Sequence, residues 1–325
     1  MKAVLCRDWG DPESLVIGDV PPPPLAPGDV RIRVRACGLN FADTLQIAGK
    51  YQVKPPFPFT PGLEVGGEIA ELGGEVRDLR VGDRVMAPTH GNAFAEEVIV
   101  PAEAAVPIPA SMDFVTAAAF PVAYGTSHSA LTHRGRLGAG ETLLVLGAAG
   151  GVGLTAIQIG RLLGARVIAA ASSEAKLALC REHGADALIN YATSELRERV
   201  RELTGGKGVD VVYDPVGGAW AEPAVRSLAL LGRYLVVGFA SGEIPKIALN
   251  LLLLKQASLV GVFWGAYARA RPEENARAFA QLFDWYAQGR LRPHISQSFP
   301  LERYREALDA VMHRRAQGKV ALLVS

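Results

Sequence analysis

The sequence predicts an α/β protein with two domains, a β-barrel-type domain and a doubly wound parallel sheet. Residues 1–120 contain short strand-like runs between Gly/Pro turns, which is typical of a small β domain. After Asp113, apolar strands alternate with helical patterns, and a glycine-rich turn follows the first of these strands. A chain of 325 residues is long enough to bury two separate cores.

The composition argues against several classes of function. Apolar residues make up 49% and charged residues 21% of the chain, as in ordinary globular proteins. The formal net charge of +1, with both signs interspersed, favours neither nucleic acid nor an anionic membrane as a partner. The three cysteines are far apart, which indicates a reducing compartment and no disulfide framework. Polar residues interrupt the most apolar stretch, 247–267, so we expect a buried helix and strand there and a cytoplasmic protein.

The strands of the first domain follow from alternation and turns. The segment RIRVRACG at 31–38 alternates polar and apolar residues, and GGEIAELG at 66–73 and GDRVMAP at 82–88 are predicted as further strands. The proline run at 21–29 lacks the donors that a strand ladder needs and is predicted as a surface connection. These short strands predict a barrel-like β domain.

The second half of the chain follows a strand–helix pattern. Predicted helices at 152–163 and 174–183 each follow an apolar strand, so the crossovers favour a parallel sheet that is covered on both faces. Helices return after residue 265, before a last strand at 319–325. The strands predicted for the sheet are 143–147, 166–171, 187–191, 209–214 and 232–239.

The turn GAAGGVG at 147–153 joins the first of these strands to a helix. Small residues let the backbone approach a pyrophosphate, and a helix N-terminus offers free N–H groups and the positive end of the helix dipole. The spacing departs from a strict G-x-G-x-x-G, and tight strand-to-helix packing is the structural alternative. Together with the strands and helices that follow, the turn predicts a dinucleotide site.

The end of the next strand bears on the choice of dinucleotide. An NAD site usually has an acidic residue about 20 positions after the glycine turn. Ser172 and Ser173 lie there instead, and Lys176 follows one short turn later, which suits a 2′-phosphate. Glu174 keeps NAD as an alternative, although a position in the first helical turn would suit the helix dipole instead. The sequence therefore favours NADPH over NADH.

At this point the chain resembles the zinc-independent quinone oxidoreductases of the medium-chain dehydrogenase/reductase superfamily. The resemblance covers nearly the whole length and rests on several motifs together. The resemblance implies a GroES-like catalytic domain at 1–123 and 266–325, a Rossmann NADPH-binding domain at 124–265, and a homodimer. The matching segments are GLNFADTLQIAGKY (38–51), PGLEVGGEI (61–69), VGDRV (81–85), GAAGGVG (147–153), ALINY (187–191), VVYDPVGG (211–218) and RRAQGK (314–319).

The same resemblance implies roles for individual residues. Asn40 and Asp43 would lie beside the nicotinamide, with Tyr51 at the substrate entrance and Thr126 near the nicotinamide ribose. Further residues would contact the cofactor: Ala149, Gly150, Gly151 and Val152 at the pyrophosphate; Ser172, Ser173, Lys176, Tyr191 and Arg314 at the adenosine phosphate; and Gly238, Phe239, Ala240, Ser241, Val262, Phe263 and Trp264 along the nicotinamide half.

Cys37 raises the question of a metal. In the zinc alcohol dehydrogenases of the superfamily, a cysteine, a histidine and a further thiolate or carboxylate hold the catalytic zinc. Cys37 matches the first position, but Leu63 of PGLE stands where the imidazole would be, and no cluster of four cysteines exists. We therefore expect no metal.

The expected chemistry follows from the missing metal ligand. Zinc lowers the pKa of a bound water to about 7, so unactivated alcohols become poor substrates without it. A quinone or enone already accepts hydride density and needs only hydrogen-bond donors such as Asn40 or Tyr51. Asp43 could instead serve as a helix cap. His90 is a possible site residue, whereas His128 and His133 are expected at the surface or at a helix end.

Two other functions remain open. An enoyl-thioester reductase on the same scaffold would need an anion-binding patch for coenzyme A, for which Lys50 and Lys54 are candidates beside a surface role. A protein that binds NADPH without catalysis, or that binds RNA, is the alternative of another class, and the absence of a basic stripe argues against RNA.

Overall fold

The computed structural model describes all 325 residues. Its strands, in chain order, are β1 (Lys2–Leu5), β2 (Val16–Asp19), β3 (Asp29–Leu39), β4 (Glu64–Leu72), β5 (Arg84–Pro88), β6 (Glu97–Pro101), β7 (Val106–Pro107), β8 (Thr142–Val145), β9 (Arg166–Ala171), β10 (Ala187–Asn190), β11 (Val209–Asp214), β12 (Leu228–Val236), β13 (Ser258–Gly261), β14 (Ile295–Pro300) and β15 (Lys319–Leu323). Its helices are α1 (Phe41–Ile47), α2 (Phe114–Ala118), α3 (Pro121–Ser129), α4 (Gly151–Leu162), α5 (Glu174–Glu182), α6 (Leu196–Leu203), α7 (Ala221–Arg226), α8 (Asn250–Lys255), α9 (Trp264–Ala270), α10 (Pro272–Ala287) and α11 (Tyr304–Met312). None of these helices is both long and apolar enough to cross a lipid bilayer.

The chain divides into two compact units. The first unit contains Met1–Val122 and Pro293–Ser325, and the second contains Ala123–Arg292. Residues 266–292 therefore group with the second unit, whereas the resemblance implied that they belong to the first domain. The physical reason is α10, which buries Phe279, Leu282 and Trp285 within the second unit.

The first unit is built around one mixed sheet with the order β14-β15-β3-β4-β5-β7, and β6 also pairs with β3. On β3, alternate residues from Val30 to Ala36 are buried, as the period-two pattern of RIRVRACG predicts. Both chain ends contribute to this sheet because β15 pairs antiparallel with β3. The core beneath the sheet joins residues from Val4 to Val324.

The second unit is a parallel six-stranded sheet with the order β10-β9-β8-β11-β12-β13. Numbered within the unit, this order is 3-2-1-4-5-6, which is the doubly wound Rossmann arrangement. The α/β fold class is therefore confirmed, and the predicted strands at 166–171 and 209–214 match β9 and β11 to the residue. Ligands of such sheets bind outside the carboxyl ends of the strands where the order reverses, here at β8 and β11.

Candidate active site

Asn40 lies at the start of α1, where β3 ends. Its backbone is extended, with φ −131° and ψ 152°, and its N–H donates to Asp43 Oδ2 at 2.7 Å. Its side-chain Nδ2 donates to Glu64 Oε1 at 2.9 Å, and its Oδ1 accepts from Lys319 Nζ at 2.7 Å. The predicted catalytic residue thus lies in a hydrogen-bonded cluster with two charged side chains.

Lys319 and Glu64 form a buried ion pair with an Nζ–Oε1 distance of 2.6 Å. Strand register brings them together, since Val320 pairs with Leu39 on β3, and Cys37 on β3 pairs with Val65. The side chain of Glu64 is fully buried and that of Lys319 is 7% exposed. In the sequence the only sign of this pair is weak, namely a lone charge next to each of two apolar strand segments.

Asp43 is fully buried on α1, and its Oδ1 has no hydrogen-bond partner. Burial raises the pKa of its carboxyl to about 7, although the Asn40 N–H and the charge of Lys319 act in the opposite direction. Gln46, one turn further along α1, is also buried, and neither polar atom of its side chain has a partner. Asp43 accepts the hydrogen bond of a helix cap and can hold a proton near neutral pH.

Cys37 faces the interior of the first unit. Its Sγ donates to Ala93 O at 2.8 Å, and burial raises the pKa of the thiol above its ordinary range. Glu64 is engaged by Lys319 and Asn40, and Leu63 offers no donor atom. No group of three or more His, Cys, Asp or Glu residues could hold a metal ion. The side chains at this position therefore do not fit a catalytic zinc site.

Tyr51 follows α1 and is half-buried, and its N–H donates to Leu45 O at 3.1 Å. Lys50 and Lys54, on either side of it, are exposed. Phe57 of the same loop packs against Trp9, which follows β1: the two rings are 40% and 39% exposed, with centroids 4.5 Å apart. The loop around Tyr51 therefore exposes both lysines and an aromatic ring.

The predicted glycine turn lies at the carboxyl end of β8 in the second unit. Gly147 has a φ of +55°, and Gly150 is the N-cap of α4, with no side chain capping the helix. A Cβ on Gly153 would lie 2.5 Å from Gly147 O, so only glycine lets the helix start this close to the turn. The free N–H groups of Gly151 and Val152 at the helix start fit an anionic pyrophosphate.

The end of β9 presents the residues expected at a 2′-phosphate. Ser172 is exposed, and its Oγ accepts from Lys176 Nζ at 3.3 Å. Ser173 is instead the N-cap of α5. Glu174 is the first residue of α5, and Asn190 donates to its carboxylate at 2.7 Å, which agrees with the expected place in the first helical turn. Serine and lysine can both donate to a phosphate here.

The segments expected around the nicotinamide pack together after β11, β12 and β13. Ala240 N donates to Pro215 O at 3.0 Å and Ser241 N donates to Val216 O at 2.8 Å, which joins the segment 238–241 to the turn after β11. Val262 N donates to the last residue of β12 at 2.9 Å. Phe263 is 48% exposed, whereas Trp264 is buried.

Buried polar groups, which the sequence did not identify, support these segments. Asp214 accepts from the N–H groups of Val216 at 2.6 Å and Gly217 at 3.0 Å, and the hydroxyl of Tyr234 also donates to it. These bonds fix the turn after β11. Its position at the carboxyl end of an apolar strand was the available sign of such a role.

Thr126 lies half-buried on α3, and the next residue anchors the helix. Ser127 Oγ lies 2.7 Å from Thr155 Oγ1 on α4 and 2.9 Å from the hydroxyl of Tyr213 on β11. Tyr191 follows β10 and packs against Trp220 with ring centroids 4.5 Å apart. Arg314 belongs to the first unit, where it is exposed with a φ of +55° after α11.

The three histidines differ in their burial. His128 lies in the last turn of α3, which is the helix-end position expected, but it is only 4% exposed and its Nε2 lies 2.7 Å from Gln281 Oε1 on α10, so the alternative of a surface position is wrong. Burial also lowers the pKa of His128. The reason is α10, which covers α3 in the second unit. His133 and His90 are exposed.

Comparison with known proteins places the chain in a family. The family model described as alcohol dehydrogenase GroES-like domain matches residues 26–110, and the model described as zinc-binding dehydrogenase matches residues 151–285. The quinone oxidoreductase-like protein 2 homolog of Nematostella vectensis is 40% identical over 325 residues, covering 99% of this chain and 88% of that protein.

Two solved structures are close in fold. A mycobacterial protein in complex with NADPH has a TM-score of 0.94 at 32% identity, with 99% of this chain and 100% of that chain covered. The Escherichia coli quinone oxidoreductase in complex with NADPH has a TM-score of 0.93 at 30% identity, with the same coverage. With the GroES-like and Rossmann assignments thus confirmed, this chain belongs to the quinone oxidoreductase family of the medium-chain dehydrogenase/reductase superfamily.

Proposed function

We propose that this protein reduces a quinone or a related conjugated carbonyl with NADPH, by direct hydride transfer and without zinc. One observation carries the proposal: Asn40, Glu64 and Lys319 form a closed network of hydrogen-bond donors and acceptors beside the position of the missing metal ligand. Such a network supplies an N–H donor to an oxygen, and it leaves Glu64 unavailable as a ligand.

The second unit has hydrogen-bond donors that suit the phosphate groups of NADPH. The start of α4 would hold the pyrophosphate, and Ser172 and Lys176 would hold the 2′-phosphate, while the carboxylate of Glu174 is occupied by Asn190. Solved relatives in complex with NADPH support the same choice. When bound, NADPH supplies a hydride from its nicotinamide ring.

Residues of the first unit would stabilise the negative charge that hydride transfer places on the acceptor. An acceptor oxygen gains negative charge, and an aligned N–H or O–H donor stabilises it. We propose Asn40 and the hydroxyl of Tyr51 as these donors. Asp43 would repel that charge if ionised, but burial raises the pKa of its carboxyl to about 7, so a large fraction is neutral at neutral pH.

We also propose that the protein is cytoplasmic and forms a homodimer. All three cysteines are free and buried, which suits a reducing compartment. The expectation of a buried helix within 247–267 is wrong, because α8 has no buried residue. Support for a dimer comes from exposed leucines on β12 and along α8: Leu230, Leu231, Leu249, Leu253 and Leu254, each at least 61% exposed. A Leu253→Glu variant that stays dimeric in light scattering would locate the dimer contact elsewhere.

The test is an NADPH-oxidation screen with an ortho-quinone, an enone and a short enoyl-coenzyme A, each with and without a strong chelator. We expect quinone or enone turnover that the chelator leaves unchanged. Asn40→Ala should lower turnover by about 100-fold, whereas Gln288→Ala, which removes an exposed amide, should not.

Three outcomes would contradict the proposal. Faster turnover of the enoyl thioester would favour the rival reductase, for which Lys50 and Lys54 are exposed and available. Tight NADPH binding without oxidation by any acceptor would favour a binding protein. Loss of activity with the chelator, and rescue by added zinc, would refute zinc independence.

A further inference from the structure

The amide of Asn40 has one orientation that its surroundings accept. Its Oδ1 faces the ammonium of Lys319 at 2.7 Å, and its Nδ2 faces the carboxylate oxygen of Glu64 at 2.9 Å. A flipped amide would set N–H groups against an ammonium, which has no lone pair to accept them, and an oxygen against a carboxylate. The two charges therefore define which end of the amide is the donor.

Nearly all hydrogen-bond donors and acceptors of the two charged groups have a partner. Lys319 Nζ uses its three donors on Leu39 O, Asn40 Oδ1 and Glu64 Oε1, at 2.7, 2.7 and 2.6 Å. Glu64 Oε2 accepts from Val122 N at 2.8 Å. In this network only one N–H of Asn40 Nδ2 is used, so a second donor is left on a half-buried residue.

The backbone around the carboxylate is shaped to admit it. A Cβ on Gly38 would lie 2.4 Å from Glu64 Oε1 and 2.2 Å from Ala118 O, so a side chain at Gly38 would displace the carboxylate. Burying an ion pair rarely adds net stability, because desolvation offsets the attraction. Stability therefore does not explain why this ion pair is buried. The pair is better explained by the fixed orientation that it imposes on the Asn40 amide.

We propose that Lys319 and Glu64 are positioning residues, which lock the Asn40 amide so that its second N–H is presented to the acceptor oxygen. The inference rests on the proposed function of Asn40 as the donor to that oxygen. Without Lys319 the amide can rotate and present its own oxygen, and two oxygens with partial negative charge repel each other. Lys319→Met should then lower kcat about 10- to 100-fold and change the dissociation constant of NADPH less than about twofold.

The first experiment measures the amide without any reaction. The chain has five asparagines, so selective ¹⁵N-asparagine labelling gives five pairs of side-chain N–H signals, and Asn40→Ala identifies one pair by its disappearance. In the wild type we expect the Asn40 amide protons to exchange with water slowly. In Lys319→Met we expect the signal to shift and its exchange to accelerate at least about tenfold. An unchanged Asn40 signal would overturn the proposal.

The second experiment is a double-mutant cycle on quinone reduction. If Lys319 acts through Asn40, Lys319→Met should change kcat less than about twofold in an Asn40→Ala background. An equal loss in both backgrounds would assign Lys319 a role in folding alone and refute the proposal. If Lys319→Met does not fold, Glu64→Gln replaces it in both experiments, because it removes the charge at the other end of the amide.

The two experiments separate the two proposals. A wild type that reduces no quinone or enone would refute the proposed function, while the amide signal would still decide whether Lys319 orients Asn40. An active wild type, with an amide signal that Lys319→Met leaves unchanged, would refute the positioning role alone.

Discussion

Asp43→Asn should change how the stability of the protein depends on pH. The carboxyl of Asp43 has an ordinary pKa of 3.8, which burial raises to about 7 in the folded protein. The folded state therefore binds the proton more tightly than the unfolded state, and stability must fall as pH rises from about 4 to about 7. Asparagine keeps the shape and the acceptor for the Asn40 N–H, but it cannot ionise.

The magnitude follows from the shift. A rise of roughly three pKa units corresponds to about 4 kcal/mol of unfolding free energy, since one unit is about 1.4 kcal/mol. This stabilisation is complete below pH 4 and is lost as pH passes through 7. Because part of the stabilisation is already lost at pH 4.5, the free energy of unfolding of Asp43→Asn, relative to wild type, should rise by about 3 kcal/mol between pH 4.5 and pH 8.

Urea unfolding, followed by circular dichroism at pH 4.5, 6 and 8, measures this difference. A constant offset between the two proteins reports the substitution itself, and only the change of the offset with pH reports Asp43. Asp78→Asn, at an exposed position, controls for the change in net charge. An Asp43→Asn offset that stays constant across the three pH values would refute the reasoning.

The other predictions concern the second unit. Lys176→Glu should weaken NADPH binding by about tenfold or more and leave NADH binding nearly unchanged, with affinity for NADPH falling as salt is added; equal wild-type affinities for NADH and NADPH in titration calorimetry would contradict this. Gly125→Ala should destabilise the protein by about 1–3 kcal/mol, because the new Cβ would lie 2.5 Å from the Trp264 ring, whereas Gly261→Ala has open space and should be nearly neutral in thermal unfolding. Ser127→Ala should cost about 1–3 kcal/mol of stability, since it removes the partner of the buried Tyr213 hydroxyl, whereas Thr155 keeps two backbone acceptors; an unchanged urea midpoint would argue against that network.

Local patterns in the sequence predicted much of the fold correctly. The predicted helix at 152–163 is α4 at Gly151–Leu162, and the predicted helix at 174–183 is α5 at Glu174–Glu182. Where these helices begin and end depends on nearby residues, namely the caps and the spacing of apolar residues within a few turns. The glycine turn was recognisable for the same reason, because a close helix start demands small residues at fixed positions.

Other features depend on residues far apart in the chain. The local spacing placed His128 at the surface or at a helix end, and it could not show that α10, which begins at Pro272, covers this helix end. Because the same helix packs within the second unit, residues 266–292 group with that unit. Neither result could be predicted from periodicity, since a helical pattern shows that one face is buried and does not show against which element it packs.

The sequence by itself determined the fold class, the family, the glycine turn after β8 and the absence of an imidazole at Leu63, because each depends on local patterns or motifs along the chain. Only the tertiary structure decided what stands beside Asn40. Lys319 lies 279 residues from Asn40 and 255 residues from Glu64 along the chain, and strand register in one sheet brings the three into contact. Burial then raises the pKa of the nearby Asp43, and burial is a property of the assembled core.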